Sequence, residues 1–239
     1  MTISDNSERR TFDEVYFDLY RNDQKRNSMY VSERLIINEL VPNGGRILDV
    51  GCGIGAFLSG FDKKKWDLYG TDVADVAIKE ARNNGVKVKD GLESYLYPEE
   101  YFDVVVFRGS IQLIPNPFST IQECIRLLKS GGFLIFLATP NSNSPYYRKF
   151  KTLPFLTPHL NYLIPSDIML SNALRNFGLT VIKTRYPYIG GPYANIIRDH
   201  FFYILSFVGV KRRFPFWRSS MEIYARKPLK NQPKLLLGK

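Results

Sequence analysis

Residues 47–56 read Ile47-Leu48-Asp49-Val50-Gly51-Cys52-Gly53-Ile54-Gly55-Ala56. An apolar run ends on a carboxylate and passes into a turn with three alternating glycines. Such a pattern is a buried strand, a tight bend and the approach to a helix, with bare backbone where a ligand can come close. Twenty-one residues after Gly51, Asp72 closes a second apolar run. A carboxylate there is placed to accept hydrogen bonds from two ribose hydroxyls. Together they predict a nucleoside site at the carboxyl ends of the strands. Residues 51–56 also satisfy, loosely, the dinucleotide fingerprint. Asp49 argues against that reading, because its charge would lie beside a bound pyrophosphate and repel it. It suits a nucleoside carrying a cationic ammonium.

Working outward, short apolar runs alternate with helical patterns. RILDV (46–50), WDLYGT (66–71), VKVK (86–89), FDVVVF (102–107) and FLIFLA (133–138) read as strands. FLSGF, VADVAIKEARNN and FSTIQECIRLLK read as helices between them. Asn116 is placed to cap the last of these, Pro117 suits its first turn, and Gly131 and Gly132 are expected to close it. The alternation implies right-handed crossovers and a parallel sheet with helices on both faces. A loop rich in Pro, Asn and Tyr (139–165) follows, then a helix (SDIMLSNALRNFG) and a strand (LTVIKTR, 179–185). A final strand, SSMEIYARK (219–227), stands apart. The first 45 residues hold a helix, VSERLIINEL, behind an aromatic and charged lead-in.

The chain has 239 residues, 44% of them apolar and 23% charged, enough for one domain with inserts and too little for two cores. Two cysteines, Cys52 and Cys124, argue against a disulfide framework or a cysteine-rich metal site and read as buried spacers. No metal is expected. The polar first residues are no secretory signal, and no apolar run reaches the ~20 residues of a membrane span. A cytoplasmic protein is expected, with peripheral contact at the inner face of the membrane as an extension of that reading. The net charge of +10 is concentrated at one end: residues 198–239 carry ten Lys/Arg against Asp199 and Glu222.

The stretch 45–140 resembles the class I S-adenosylmethionine-dependent methyltransferases, in the group that includes ubiquinone-biosynthesis-like and sugar O-methyltransferases. ILDVGCGIG resembles their first motif, Asp72 falls at their ribose-binding acid, and Asp90 at the position that contacts the adenine. FDVVVF followed by LLKSGGFLIF resembles their later strands and link. The resemblance implies an α/β, Rossmann-like open seven-stranded sheet whose last strand is antiparallel. It implies S-adenosyl-L-methionine as cofactor, held by Asp49, Gly51, Cys52, Gly53, Gly55, Asp72, Val73, Asp90 and Gly91, with Arg108 and Tyr16 beside it. It further implies an acceptor pocket built from 1–45, 139–165 and 186–218.

Many such relatives carry Glu-His after the fourth strand, and that histidine serves as base. Here Gln112 and Leu113 stand in those places. His159, in a segment resembling one found among relatives of the ubiquinone enzymes, is the expected catalytic base. His200 lies beside an aromatic run, and a pocket role and pairing with Asp199 are its two readings. Arg108 suits an anionic acceptor or a pairing with an acid, and Tyr16 or Tyr20 suits an aromatic cover over the sulfonium.

Residues 186–224 hold eleven aromatics with basic residues interleaved. This resembles an interfacial membrane element; a lid, a homodimer contact and packing on its own domain are the other readings, and nucleic acid is not an expected partner. The expected activity is O-methylation of a small or lipid-linked acceptor, a glycan sugar or a quinone-type phenol. A nicotinamide-dependent oxidoreductase and a non-catalytic cofactor-binding protein are the alternatives. The expected division is an N-terminal cap (1–45), a core (46–185), the insert (186–218), the last strand (219–227) and a basic tail (228–239).

Overall fold

Seven strands form one sheet in the order β3-β2-β1-β4-β5-β7-β6. They are β1 (Gly45–Val50), β2 (Trp66–Asp72), β3 (Lys87–Asp90), β4 (Phe102–Arg108), β5 (Leu128–Pro140), β6 (Thr180–Arg185) and β7 (Ser220–Arg226). All run parallel except β7, which is antiparallel to both β5 and β6. The computed structural model describes residues 17–18, 21, 23–91, 97–154, 156, 160–189, 191–210 and 212–230.

The central strands are apolar on both sides because both sheet faces are covered. On one face, Ile47, Val104, Val106 and Ile135 pack with Tyr30 and Ile37 of α1 (Gln24–Leu40) and with Ile78 and Ala81 of α2 (Asp75–Asn83). On the other, Leu48, Val105, Phe107 and Phe136 pack with Ile121, Cys124 and Leu127 of α3 (Pro117–Leu127) and Leu170 and Leu174 of α5 (Asp167–Asn176). Between them lies the short α4 (Pro145–Phe150), and α6 (Ile196–Leu205) belongs to the last insert. The aromatics of 139–165 and 186–218 build a small core of their own: Tyr146, Leu153 and Leu156 meet Phe214 and Phe216.

Several expectations need correction. The helix read from residue 31 begins at Gln24, because Asp23 caps it by accepting the Arg26 amide (3.1 Å); its polar first turns hide it from apolar patterning. FLSGF forms only a 3-10 turn, Leu58–Gly60. The Arg34 guanidinium lies against Gly60 and donates to the Phe57 carbonyl (3.1 Å). Helix α3 starts at Pro117 as read, but the Asn116 side chain makes no capping bond. Nor do the glycines close it. The helix ends at Leu127, and Leu128 already pairs with Phe102. Gly131 and Gly132 instead bend β5 past β4, where a Cβ on Gly132 would lie 3.0 Å from the Asp103 carbonyl oxygen.

Candidate active site

The glycine turn leaves β1 at the middle of the sheet's carboxyl edge, where the strand order reverses. Open α/β sheets bind ligands there. Gly51, Gly53 and Gly55 have φ of 80°, 54° and 75°, a region closed to most side chains. A Cβ on Gly51 would lie 2.6 Å from that of Ser110, whose hydroxyl donates to the Val50 carbonyl. One on Gly55 would press on Ala81 and Val86. Four of the turn's amides are taken. Gly51 and Cys52 amides donate to the Thr71 carbonyl (2.8 and 2.9 Å) and Gly55 to Cys52 (3.0 Å). Gly53 donates to Asp72 Oδ2 (2.8 Å). A diphosphate needs free amides at such a turn, and these four are not free.

Asp72 is locked by three amides: that from Gly53, and those of Val73 and Ala74 on Oδ1 (2.9 and 3.0 Å). Burial nonetheless raises its carboxyl above the ordinary value, against the pull of those bonds. Asp90 stands opposite Asp72 in the β2–β3 register, and the Gly91 amide donates to the Asp72 carbonyl (2.9 Å). Val73 is exposed beside them.

Asp49 is buried, and its Oδ1 receives no hydrogen bond. Burial pushes its carboxyl well above the usual range; Arg108 draws it down, while Asp72 and Glu33 push it up. Arg108 itself is committed elsewhere: it grips Glu33 of α1 through two contacts (2.6 and 3.3 Å) and lies 4.1 Å over the Tyr30 ring. Sequence reasoning missed Glu33, an acid hidden inside an otherwise ordinary amphipathic helix.

Along the β4–β5 side of the same edge, the Gln112 amide donates to the Gly109 carbonyl (2.7 Å) and its Oε1 is buried without a partner. The Gln112 carbonyl accepts the Tyr162 amide (2.9 Å), tying the 139–165 loop to the turn after β4. At the start of α5, Asp167 accepts from Tyr186, Arg218 and Asn143, which together hold its carboxyl down at about 2 against burial. Nearby, Asn141 Nδ2 and Ser219 Oγ are buried with no partner.

A family profile described as methyltransferase domain matches residues 21–184. The chain belongs to that family. Its sheet order is that of the S-adenosylmethionine-dependent, class I branch. Ubiquinone biosynthesis O-methyltransferase of Shewanella sp. (strain ANA-3) is 32% identical over 143 residues, covering 53% of this chain and 60% of that enzyme. The enzyme of the same name from Azoarcus sp. (strain BH72) is 30% identical over 164 residues, covering 59% and 66%. The chain thus spans under two thirds of the length of these curated relatives. A SAM-dependent methyltransferase from Archaeoglobus fulgidus superposes with a TM-score of 0.63 at 19% identity, over 89% of this chain and 98% of that one.

This methyltransferase-family site fits S-adenosyl-L-methionine. Four spent amides and a buried carboxyl oxygen without a partner suit a ligand bearing an ammonium better than one bearing phosphates. Of the residues expected around the cofactor, Asp49, Gly51, Cys52, Gly53, Gly55, Asp72, Val73, Asp90 and Gly91 come together at this edge. The Cys52 thiol packs toward Gly70 and is pushed up by burial, so that residue has only backbone to offer. Tyr16, Tyr20 and His159 lie outside the described residues. Phe17 lies by the turn, 3.4 Å from where a Gly53 Cβ would sit, among Ile54, Ala74 and Ala77. His200 does not pair with Asp199; its Nδ1 contacts the Ile196 carbonyl (2.8 Å), while Asp199 is held by Arg198, Tyr188 and the Asn195 amide. No helix among the described residues is long and apolar enough to cross a membrane.

Proposed function

We propose that the chain methylates an oxygen of a small or lipid-linked acceptor, a glycan sugar hydroxyl or a quinone-type phenol, with S-adenosyl-L-methionine as donor. The acceptor class draws on the curated ubiquinone biosynthesis O-methyltransferases of about 30% identity. The observation that carries the cofactor assignment is the buried, unpartnered Oδ1 of Asp49 beside a turn four of whose amides are already used. When bound, the sulfonium supplies an electrophilic methyl carbon. The chain supplies alignment, the larger part of catalysis for an in-line displacement. In this reading Asp49 receives the ammonium, Asp72 the ribose hydroxyls and Asp90 the adenine. Gln112 Oε1 accepts a hydrogen bond from a second hydroxyl of the acceptor and orients it, leaving the reacting hydroxyl's proton to a base. An amide cannot take the proton away, so His159 is the proposed base.

Peripheral contact with an anionic membrane belongs to the same proposal. Ile197, Phe201 and Ile204 lie on one face of α6 and are 86%, 56% and 66% exposed. Phe207 and Val208 extend that apolar face beside the basic end of the chain. Apolar side chains flanked by cations match an anionic bilayer surface.

Calorimetry with S-adenosylhomocysteine tests the cofactor site. Asp49→Asn is expected to weaken binding about tenfold to a hundredfold, the worth of a hydrogen bond to a charged group. The parent's affinity falls as pH drops through the raised Asp49 value, because only the ionised carboxyl attracts an ammonium; Asp49→Asn flattens that profile. Stability of the free protein runs the other way. A carboxyl whose folded value is raised loses stability as pH climbs from the ordinary carboxylate range, and the amide avoids that loss. Tighter binding of NADH than of S-adenosylhomocysteine would overturn the assignment.

A further inference from the structure

A cleft of about 290 Å³ opens between the first turn of α1 and the 186–218 insert, and shares no residue with the glycine turn. Lys25, Arg198, Arg212 and Arg213 line it together with the rings of Tyr193 and Phe202. Three of these four charges are not answered from within. Among the described residues Lys25, Arg212 and Arg213 form no ion pair, whereas the two acids adjoining the cleft are both occupied. Asp23 accepts from the Tyr193 hydroxyl and the Arg26 amide. Asp199, fully buried, accepts from Tyr188 (3.0 Å), the Asn195 amide (2.8 Å) and Arg198 (2.8 and 2.9 Å). That last contact fixes the Arg198 guanidinium, and the Arg212 guanidinium lies 4.4 Å from the Phe202 ring centroid. Lys25 Nζ lies 5.8 Å from that of Tyr193.

Four cations around one aromatic-walled cavity exceed what the two adjoining carboxylates balance. Guanidinium forks match the oxygens of phosphate esters, and the rings shield the contact from water while facing the organic part of the ligand. We infer that this cleft is a phosphoryl-binding site, taking a phosphate ester or diphosphate group. The group has two sources: a soluble phosphorylated compound, or the headgroup of a lipid whose tail meets the exposed apolar face of α6. A nucleic acid strand fits poorly, because the cations close around one pocket instead of tracking a groove.

The experiment titrates the full chain at low salt with sodium diphosphate by calorimetry. In parallel, it sediments the chain with vesicles of phosphatidylcholine alone or mixed with phosphatidylglycerol. Arg212→Ala/Arg213→Ala changes one wall and Lys25→Ala the other. The double variant is expected to weaken binding about tenfold or more, and Lys25→Ala several-fold, as for lost charged hydrogen bonds. Diphosphate binding that both variants weaken supports the site with a soluble ligand. Binding only to phosphatidylglycerol vesicles, weakened by both, supports it with a lipid headgroup and bears out the membrane contact proposed above. Binding in neither arm, or binding that the variants leave unchanged, overturns it. Unaltered thermal melting shows that the variants fold. Affinity for S-adenosylhomocysteine reads the cofactor site separately, so either proposal can fail without the other.

Discussion

The two halves of the sheet's carboxyl edge are held by different forces. The half around β1 and β2 is fixed by backbone: three glycines at positive φ, amides spent on Thr71 and Asp72, and one buried ion pair. The half beyond β5 is fixed by side-chain volume, rings from two inserts meeting far apart in sequence. Tyr146 and Phe214 lie 5.1 Å apart between centroids, and Tyr203 stacks on Phe216 at 4.3 Å. Backbone constraints forbid a Cβ but ignore most neighbours. Packing constraints accept another ring of similar size. A fold that keeps the first kind at its glycine turn and the second in its inserts can vary the inserts without rebuilding the turn.

Arg108 offers the largest expected break in the first half. Replacing it by Met leaves Glu33 buried beside Asp49 without its hydrogen-bonded cation, which costs about 3–5 kcal/mol of stability by the behaviour of broken buried pairs. Urea denaturation measures it. Burial already raises the Glu33 carboxyl above its ordinary value while Arg108 opposes the rise. Without Arg108 the folded value climbs further, so the loss deepens as pH rises from 5 to 8. A loss that stays flat over that range would mean the pair does not anchor α1 over the turn.

In the second half, Phe216→Ala opens a cavity among Tyr146, Tyr203 and Phe214 and is expected to cost about 3 kcal/mol. Phe216→Leu recovers most of that, since volume matters more than identity there. Affinity for S-adenosylhomocysteine stays within about twofold in both, because distant sites without shared partners act independently. A tenfold loss of cofactor affinity in Phe216→Ala would show that the halves are coupled.

The same contrast explains what the sequence disclosed. The glycine spacing, Asp49 and Asp72 stand out because backbone requirements leave a local mark, and each strand from RILDV to SSMEIYARK appears in the sheet. Glu33 left none: its role exists only when α1 folds over Arg108, 75 residues away. Phe17 was not singled out, since the sequence does not mark which rings of TFDEVYFDLY approach Gly53. The basic cleft joins Lys25 to Arg213 and could not be assembled from either segment alone. Gly131 and Gly132 misled for the opposite reason. Their pattern suits a helix end, but strand pairing between Leu128 and Phe102 ended the helix first.

The smallest test concerns two helix starts, one on each side of the comparison. Ser166 caps α5 by accepting the Met169 amide (3.1 Å), so Ser166→Ala is expected to cost about 1 kcal/mol. Asn116 occupies the corresponding position of α3, yet only its backbone carbonyl is used, accepting the Thr120 amide (3.1 Å) and hydroxyl (3.0 Å). Asn116→Ala therefore leaves stability within about 0.5 kcal/mol, as for a substitution that removes no contact. Paired urea melts decide the matter. Equal costs at both positions would mean that Asn116 caps in solution, and that the first turn of α3, like that of α5, depends on a side chain as well as on Pro117.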